Sequence, residues 1–201
     1  MEQGITHITS CCAIILAAGQ SARMGSPKQL LDYHGKTLLQ NAIDAAKGAN
    51  VQTIIVILGA NAEKILPHLD INGVCIAENK DWQSGMASSI ITAIDAIERI
   101  DPSADAVLLM VCDQPFINSS LLNELIAARQ RSGKLIAASR YGNTLGVPAL
   151  FHKNLFNELA NLKGDQGARK IIQLYRDSVE IIDFPEGNID IDTKDEYEKL
   201  V

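Results

Sequence analysis

The sequence predicts an α/β protein in three layers, with a mainly parallel sheet between two layers of helices. Short apolar segments of strand length alternate along the chain with longer segments of helical periodicity. Each apolar segment is nearly continuous, as is typical of strands that are buried on both faces. Because parallel strands need crossover connections, this order favours helices on both faces of one sheet. We expect the 201 residues to form a single domain, residues 1–201.

Six short apolar segments are predicted as the strands. They are CAIILA (12–17), TIIVIL (53–58), VCIA (74–77), AVLLMV (106–111), LIAAS (135–139) and VEIID (179–183). Polar or glycine-containing stretches follow most of them. Because ligands bind at the carboxyl ends of parallel strands, these stretches are the first candidates for a functional site.

Two clear helical patterns lie between the strands. In residues 86–100, Ile90, Ile94 and Ile97 recur at spacings of four and three residues, and Ser88 or Ser89 is available as the N-cap. Residues 118–130 open on Asn118-Ser119-Ser120, a typical helix start. Their apolar stripe consists of Leu121, Leu122, Leu125 and Ile126.

The composition argues against several classes of protein. The longest apolar segments have about eight residues, far fewer than the roughly 20 of a membrane helix. Residues 1–12 lack the pattern of a signal peptide. The net charge of −6 argues against a general nucleic-acid surface. The four cysteines show no metal-ligand spacing, so we expect reduced thiols in a cytoplasmic protein.

The loop after the first strand, GQSARMGSPK, is rich in glycine and basic residues. Gly19 and Gly25 permit close approaches of the backbone, so the loop amides can form an anion-binding nest. Arg23 and Lys28 add positive charge, Arg23 as a fork and Lys28 as a point charge. The loop is neither a Walker A loop nor a dinucleotide fingerprint. We predict a phosphate site here; a tight turn with two solvated basic residues is the alternative.

Six segments, taken together, resemble a known enzyme family. They are LAAGQSARMGSPKQLL, NKDWQSGMASSI, CDQPFI, GVPALF, LKGDQGARKII and DIDTKDEY. In this order they look like the motifs of the nucleotidyltransferases that act on the molybdenum cofactor, with GVPALF as a later strand. The similarity is greatest to the MocA-like branch, which includes molybdenum cofactor cytidylyltransferases. It spans almost the whole chain and implies a Rossmann-like fold of the nucleotide-diphospho-sugar transferase type.

The resemblance also implies roles for individual residues. Arg23, Lys28 and Asp113 would be catalytic, and Asp113 and Asp190 would bind Mg²⁺. Asp165 and Arg169 would face the acceptor. The nucleotide-binding residues would be Leu16, Ala17, Ala18, Gly19, Ser21, Arg23, Gly25, Lys28, Gly85 and Met86.

Several of these assignments have structural alternatives. Asp113 could cap a turn, since Asp before Gln-Pro is ordinary turn chemistry. Asp190 and Asp192 could be solvated residues of an edge strand, and Asp192 is the weaker metal candidate. Asp165 and Arg169 lie four residues apart, the spacing of an ion pair on a helix.

The implied reaction is a Mg²⁺-dependent transfer of CMP from CTP to a molybdopterin acceptor, with release of pyrophosphate. Such a transfer depends on positioning and charge stabilisation and needs no protein nucleophile. The guanylyl members tend to have glycine at the position of Ala18, so the resemblance favours cytidine. Lys194 departs from the proline that is common in the family, which leaves the start of the last helix open.

Three other functions stay open at this point. The first is guanylyl transfer, and the second is nucleotidyl transfer to a sugar-1-phosphate on the same fold. The third is a non-catalytic carrier or chaperone that hands the cofactor to a molybdoenzyme. An intact set of Lys28, Asp113 and Asp190 favours catalysis, because a pure carrier would not need it. Fold alone does not decide between these functions.

Overall fold

A computed structural model of the chain describes residues 10–22 and 24–201. The strands in this part are β1 (Cys11–Ala17), β2 (Asp32–Tyr33), β3 (Lys36–Thr37), β4 (Thr53–Leu58), β5 (Cys75–Glu78), β6 (Ala106–Val111), β7 (Ile136–Tyr141), β8 (Thr144–His152) and β9 (Val179–Asp183). The α-helices are α1 (Leu38–Lys47), α2 (Ala62–Ile65), α3 (Met86–Ile100), α4 (Ser119–Ser132), α5 (Phe156–Ala160), α6 (Arg169–Leu174) and α7 (Lys194–Leu200).

Seven strands form the central sheet, in the order β5-β4-β1-β6-β8-β7-β9. The first four are parallel neighbours, β8 is antiparallel to both β6 and β7, and β9 is parallel to β7. The predicted mainly parallel α/β fold is confirmed. All six predicted strands are present, three with the predicted bounds and three with ends shifted by one or two residues. The apolar pattern did not predict β8, because Gly146 and Pro148 interrupt it, although GVPALF lies within it.

Helices cover both faces of the sheet. Alternate side chains of β1 point to opposite faces, because a strand has a side-chain period of two. On one face, Ile14 and Leu16 share a core with Ile90 and Ile94 of α3. On the other face, Ile15 packs in a second core with α1 and α4. All seven residues of β1 are buried, which explains why the segment is apolar without alternation.

Helix α3 begins at Met86, directly after Gly85, and no side chain caps it. The Ser88 hydroxyl donates to the Gly85 carbonyl at 2.8 Å. The hydroxyls of Ser88 and Ser89 both accept hydrogen bonds from Nδ2 of Asn79, at 2.8 and 3.0 Å. The predicted serine N-cap is therefore wrong, because both serines lie within the helix and their hydroxyls bind the segment after β5.

Two other helix starts follow local sequence signals. The Asn118 side chain accepts a hydrogen bond from the Leu121 amide at 3.0 Å and caps α4, as predicted. Thr193 caps α7 and forms a capping box with Glu196, so this helix starts at Lys194 without a proline. Of the helices in the described residues, none is long and apolar enough to cross a membrane.

Candidate active site

A cleft of about 320 Å³ opens at the carboxyl ends of β1 and β6. Its walls come from the end of β1, the loop that follows, the start of α3 and the turn after β6. Eight predicted site residues line it: Leu16, Ala17, Ala18, Gly19, Lys28, Gly85, Met86 and Asp113. Ser21 and Gly25 line a neighbouring depression instead. Arg23 lies outside the described residues, so its predicted role stays a prediction.

Gln29 anchors the glycine-rich loop to the end of β1. Its side chain is only 1% exposed, and Nε2 donates to the carbonyls of Ala17 and Gly19 at 2.8 and 2.9 Å. Oε1 of Gln29 accepts from the Ser21 hydroxyl at 3.3 Å, and Oγ of Ser21 accepts from the Lys28 amide at 3.0 Å. The loop backbone is therefore held at both ends. Gln29 is not among the residues predicted from the sequence, where its only signal is a polar residue directly before the apolar pair Leu30-Leu31.

Lys28 joins two carboxylates that come from distant parts of the chain. Its Nζ lies 2.5 Å from Oδ2 of Asp113 and 2.7 Å from Oδ1 of Asp192. Side-chain exposures are 15% for Lys28, 18% for Asp113 and 32% for Asp192. Burial by itself would lower the pKa of Lys28, but the two carboxylates outweigh it and raise the pKa above its usual value. Lys28 is therefore a cation at neutral pH.

Ile191 brings the closing Asp-Ile-Asp segment beside Asp113. Its side chain is fully buried, and its amide donates to the Asp113 carbonyl at 3.0 Å. Partial burial and the negative charges of Asp113 and Asp192 raise the pKa of Asp190. Three carboxylates are therefore close together, and Asp192 is the one of the closing segment that contacts Lys28. Asp192 is the weaker metal candidate from the sequence, although Asp190 and Asp192 flank the same apolar residue.

The carboxylates form an open site and not a closed metal cage. Within residues 10–22 and 24–201, no group of three or more His, Cys, Asp or Glu side chains is arranged to hold a metal ion by itself. Mg²⁺ usually takes one or two carboxylates and completes its coordination with water and substrate phosphates. Asp113 with a carboxylate of the closing segment is a donor set of that kind. The residues present therefore fit a divalent cation that arrives with a phosphate ligand.

The start of α3 packs against the loop that precedes α6. Gly85 has φ +100°, and a Cβ on it would lie 2.5 Å from the Gly164 carbonyl oxygen and 2.6 Å from Oδ1 of Asp165. The same Gly164 carbonyl accepts from the Ala87 amide at 3.0 Å. This close approach requires glycine at position 85. It brings Asp165, an expected acceptor residue, next to the expected nucleotide residues.

Arg169 and Asp165 do not form the helix ion pair that their spacing allows. Arg169 is the first residue of α6, whereas Asp165 lies in the loop before it. The Arg169 guanidinium donates to Oγ1 of Thr144 at 3.4 Å. Among the described residues, no ion pair joins Arg169 to Asp165. An i to i+4 contact needs both residues on one helix, which is not the case here.

Ala18 and Trp82 both line the cleft. A Cβ on Gly59 would lie 2.8 Å from the Ala18 Cβ and 2.9 Å from the Trp82 Cβ, so three segments meet tightly here. Trp82 packs against the core and also lines the cleft. Trp82 is therefore both a core residue and part of the cleft wall.

The cysteines of the described part are free thiols. Burial raises the pKa of Cys112, which lines the cleft beside Asp113, to about 12. The thiol is therefore protonated at neutral pH and is a poor nucleophile. The chemistry of the cleft consequently depends on its backbone amides, Lys28 and the carboxylates.

Known proteins share this fold and sequence pattern. Residues 13–180 match the family described as MobA-like NTP transferase domain. Nicotine blue oxidoreductase of Paenarthrobacter nicotinovorans is 27% identical over 209 residues, which cover 98% of this chain and 100% of the relative. Molybdenum cofactor guanylyltransferase of Sinorhizobium fredii is 27% identical over 176 residues, which cover 87% of this chain and 79% of the relative.

A solved structure extends the comparison to the whole fold. Rv0371c of Mycobacterium tuberculosis, in complex with manganese, is 30% identical to this chain, with a TM-score of 0.79. The match covers 96% of this chain and 98% of Rv0371c. The family match covers far more than half of the chain, and the cleft lies at the carboxyl edge expected for the fold. The chain therefore belongs to the MobA-like NTP transferase domain family and is a nucleotidyltransferase.

Proposed function

We propose that this nucleotidyltransferase transfers CMP from CTP to a molybdopterin-type acceptor and releases pyrophosphate. The proposal rests on one observation: Lys28, at the end of the glycine-rich loop, forms ion pairs with Asp113 and Asp192. A cation for the triphosphate and carboxylates for a metal ion are the two groups that nucleotidyl transfer requires. Here they lie side by side in one cleft.

The glycine-rich loop is the proposed triphosphate site. The Gln29 hydrogen bonds hold the loop backbone at Ala17 and Gly19, so its amides are oriented before the nucleotide binds. Lys28 and Arg23 would neutralise the phosphate oxygens, and Ser21 and Gly25 would shape the outer part of the loop. Preorganised donors of this kind stabilise the charge that develops in the transition state.

Asp113 and Asp190 are the proposed ligands for Mg²⁺, and Asp192 lies beside them. When bound, the divalent cation would supply electrostatic stabilisation of the phosphate oxygens. The manganese in the Rv0371c complex supports a divalent cation as cofactor in this family. The raised pKa of Asp190 is consistent with carboxylates close enough to share one cation.

The reaction needs no covalent protein intermediate. A phosphate oxygen of the acceptor attacks the α-phosphorus of the nucleotide, a new P–O bond forms, and the bond to pyrophosphate breaks. Lys28 stabilises the negative charge on the leaving pyrophosphate. Asp165 and Arg169 are proposed on the acceptor side, and the contact of Asp165 with Gly85 would keep the acceptor near the nucleotide. The proposed location is cytoplasmic, with a molybdoenzyme receiving the product.

Cytidine is the proposed base, and this choice rests on Ala18. Ala18 directly follows β1 and lines the cleft, and Gly59 and Trp82 pack closely around it. A guanylyltransferase is among the relatives, so GTP is the main competitor. The sequence difference at this position supports CTP.

A nucleotide panel tests the proposal. The purified protein is incubated with Mg²⁺, each of CTP, GTP, ATP and UTP, and either molybdopterin or a sugar-1-phosphate as the acceptor. Pyrophosphate and the nucleotidyl product are measured, and binding of molybdopterin is followed by calorimetry. We expect the fastest release of pyrophosphate with CTP, and only with acceptor and metal present. Faster turnover of GTP would assign guanylyl transfer. Turnover only with sugar-1-phosphates would assign the sugar reaction, and tight binding of the cofactor without any turnover would assign a carrier.

Two variants test the site itself. Lys28→Ala should weaken CTP binding in a calorimetric titration, because the loop loses its point charge. Lys36→Ala is the matched control, since Lys36 pairs with Asp44 away from the cleft. Equal affinity of the Lys28 variant and the control for CTP would contradict the triphosphate assignment.

A further inference from the structure

We propose that Lys28 acts as a resident counter-ion of the metal carboxylates and thereby couples the binding of metal and nucleotide. Without ligands, its ammonium group holds Asp113 and Asp192 together. When the triphosphate binds, the ammonium group turns to the phosphates and leaves the carboxylates to the divalent cation. The inference rests on the proposed function, since it assigns a binding order to that same site.

The geometry shows that Lys28 already pairs with Asp113, one of the two proposed metal ligands, and with the neighbouring Asp192. Its Nζ contacts Oδ2 of Asp113 at 2.5 Å and Oδ1 of Asp192 at 2.7 Å. The side chains of Lys28 and Asp113 are both largely buried. In such surroundings charge interactions are much stronger than in water. The ammonium group therefore competes strongly with any other cation for these carboxylates.

Lys28 can change partner without moving the loop. Its amide is held by Oγ of Ser21, and the next residue, Gln29, is hydrogen-bonded to Ala17 and Gly19. The backbone at position 28 is therefore fixed, whereas the lysine side chain has a flexible four-carbon stem. Lys28 lines the same cleft as Gly19 of the loop and the carboxylate-bearing Asp113. A rotation of the side chain is enough to exchange one anion for the other.

Coupling follows from this competition. A divalent cation that enters alone meets a positive charge already placed between the carboxylates, so its affinity is reduced. A triphosphate that draws the ammonium group away removes the competitor and raises the affinity for the metal. Linkage requires the reverse effect as well, so bound metal must raise the affinity for the nucleotide by the same factor.

Manganese titration without acceptor tests the inference, because no transfer takes place. The Mn²⁺ affinity of the wild type, Lys28→Met and the control Lys36→Met is measured by calorimetry, each without nucleotide. We expect Lys28→Met to bind Mn²⁺ at least tenfold more tightly than the wild type and the control. Lys28→Arg keeps the positive charge and should bind Mn²⁺ as weakly as the wild type. Where Lys28→Met fails to fold, Lys28→Gln takes its place.

Thermal unfolding provides a second readout. Removal of the ammonium group leaves the carboxylates to repel each other, so Mn²⁺ should raise the Tm of Lys28→Met more than that of the wild type. An Mn²⁺ affinity of Lys28→Met and Lys28→Gln no higher than that of the wild type would overturn the inference while leaving the metal site intact. Absence of Mn²⁺ binding in every variant, with and without CTP, would overturn the metal assignment of the proposed function as well.

Discussion

The Nζ atom of Lys28 lies 2.5 Å from Oδ2 of Asp113, although 85 positions separate the two residues in the chain. The contact joins the loop after β1 to the turn after β6, and these strands are adjacent in the sheet. Parallel neighbours end at the same edge, so the residues that follow them meet there. The proposed triphosphate and metal sites therefore share a boundary.

The Asp113 carboxylate is expected to be essential for turnover. Asp113→Asn keeps the shape of the side chain but removes the charge that pairs with Lys28. We expect pyrophosphate release to fall by about 100-fold or more, the typical effect of losing a main electrostatic group. Steady-state kinetics measure the loss, and circular dichroism checks that the fold is kept.

Asp95→Asn is the matched control for this prediction. Asp95 is exposed on α3, outside the cleft lining, so its turnover should equal that of the wild type. Turnover of Asp113→Asn within twofold of this control would refute the role of Asp113.

Gln29 is expected to stabilise both the fold and the nucleotide site. Gln29→Leu would leave the buried carbonyl of Ala17 and the more exposed carbonyl of Gly19 without their side-chain donor. An unsatisfied buried polar group costs about 1–3 kcal/mol, so we expect a lower free energy of unfolding by about that amount. Urea unfolding measures the change, and calorimetry should show weaker CTP binding. Gln173→Leu, at an exposed position of α6, should change neither quantity.

Gly85 is expected to tolerate no side chain. Gly85→Ala combines an unfavourable φ with a Cβ only 2.5 Å from the Gly164 carbonyl oxygen. Gly133→Ala is a matched control, because Gly133 also has positive φ but has no atom within 4 Å of its built Cβ. The control is destabilised only by the backbone strain, of order 1 kcal/mol. We expect Gly85→Ala to lower the free energy of unfolding by clearly more than Gly133→Ala does, and to raise the KM for the acceptor. Equal losses of unfolding free energy in the two variants would show that the contact of residue 85 with residue 164 is not tight.

Asp101 is expected to make stability depend on acid pH. Burial by itself would raise its pKa, but hydrogen bonds from Thr53, Ser103 and Ser10 outweigh it and lower the pKa below its usual value. A lowered pKa in the folded state stabilises the protein above the unfolded-state value, about 3.9. This stability is lost as the pH falls through the lower folded-state pKa.

Urea unfolding between pH 2 and pH 7 tests the Asp101 prediction. Asp101→Asn should be less stable than the wild type at pH 7, by about 1–2 kcal/mol, and the difference should shrink in acid. Asp177→Asn, at an exposed position, serves as the control and should follow the wild-type curve. A stability difference that is constant over this pH range would contradict the assignment.

The sequence by itself determined the fold and the local motifs. A strand buried on both faces must be apolar throughout, so Thr53–Leu58 and Ala106–Val111 are visible in the sequence as short apolar segments. Asn118 caps α4 because a side-chain cap depends only on residues within one turn. The glycine-rich loop and Asp113 could also be located from the sequence, since each directly follows a recognisable strand.

Only the tertiary structure decided which distant side chains meet. The hydrogen bond from the Ile191 amide to Asp113 sets the position of the closing segment, and through it Asp192 reaches Lys28. The serines of α3 and the buried Gln29 likewise bind partners outside their own turn. Local patterns record burial and helix periodicity, whereas such contacts depend on how separate segments pack against one another. The pairing of Lys28 with two carboxylates is therefore a property of the packed fold, although each residue was visible in the sequence.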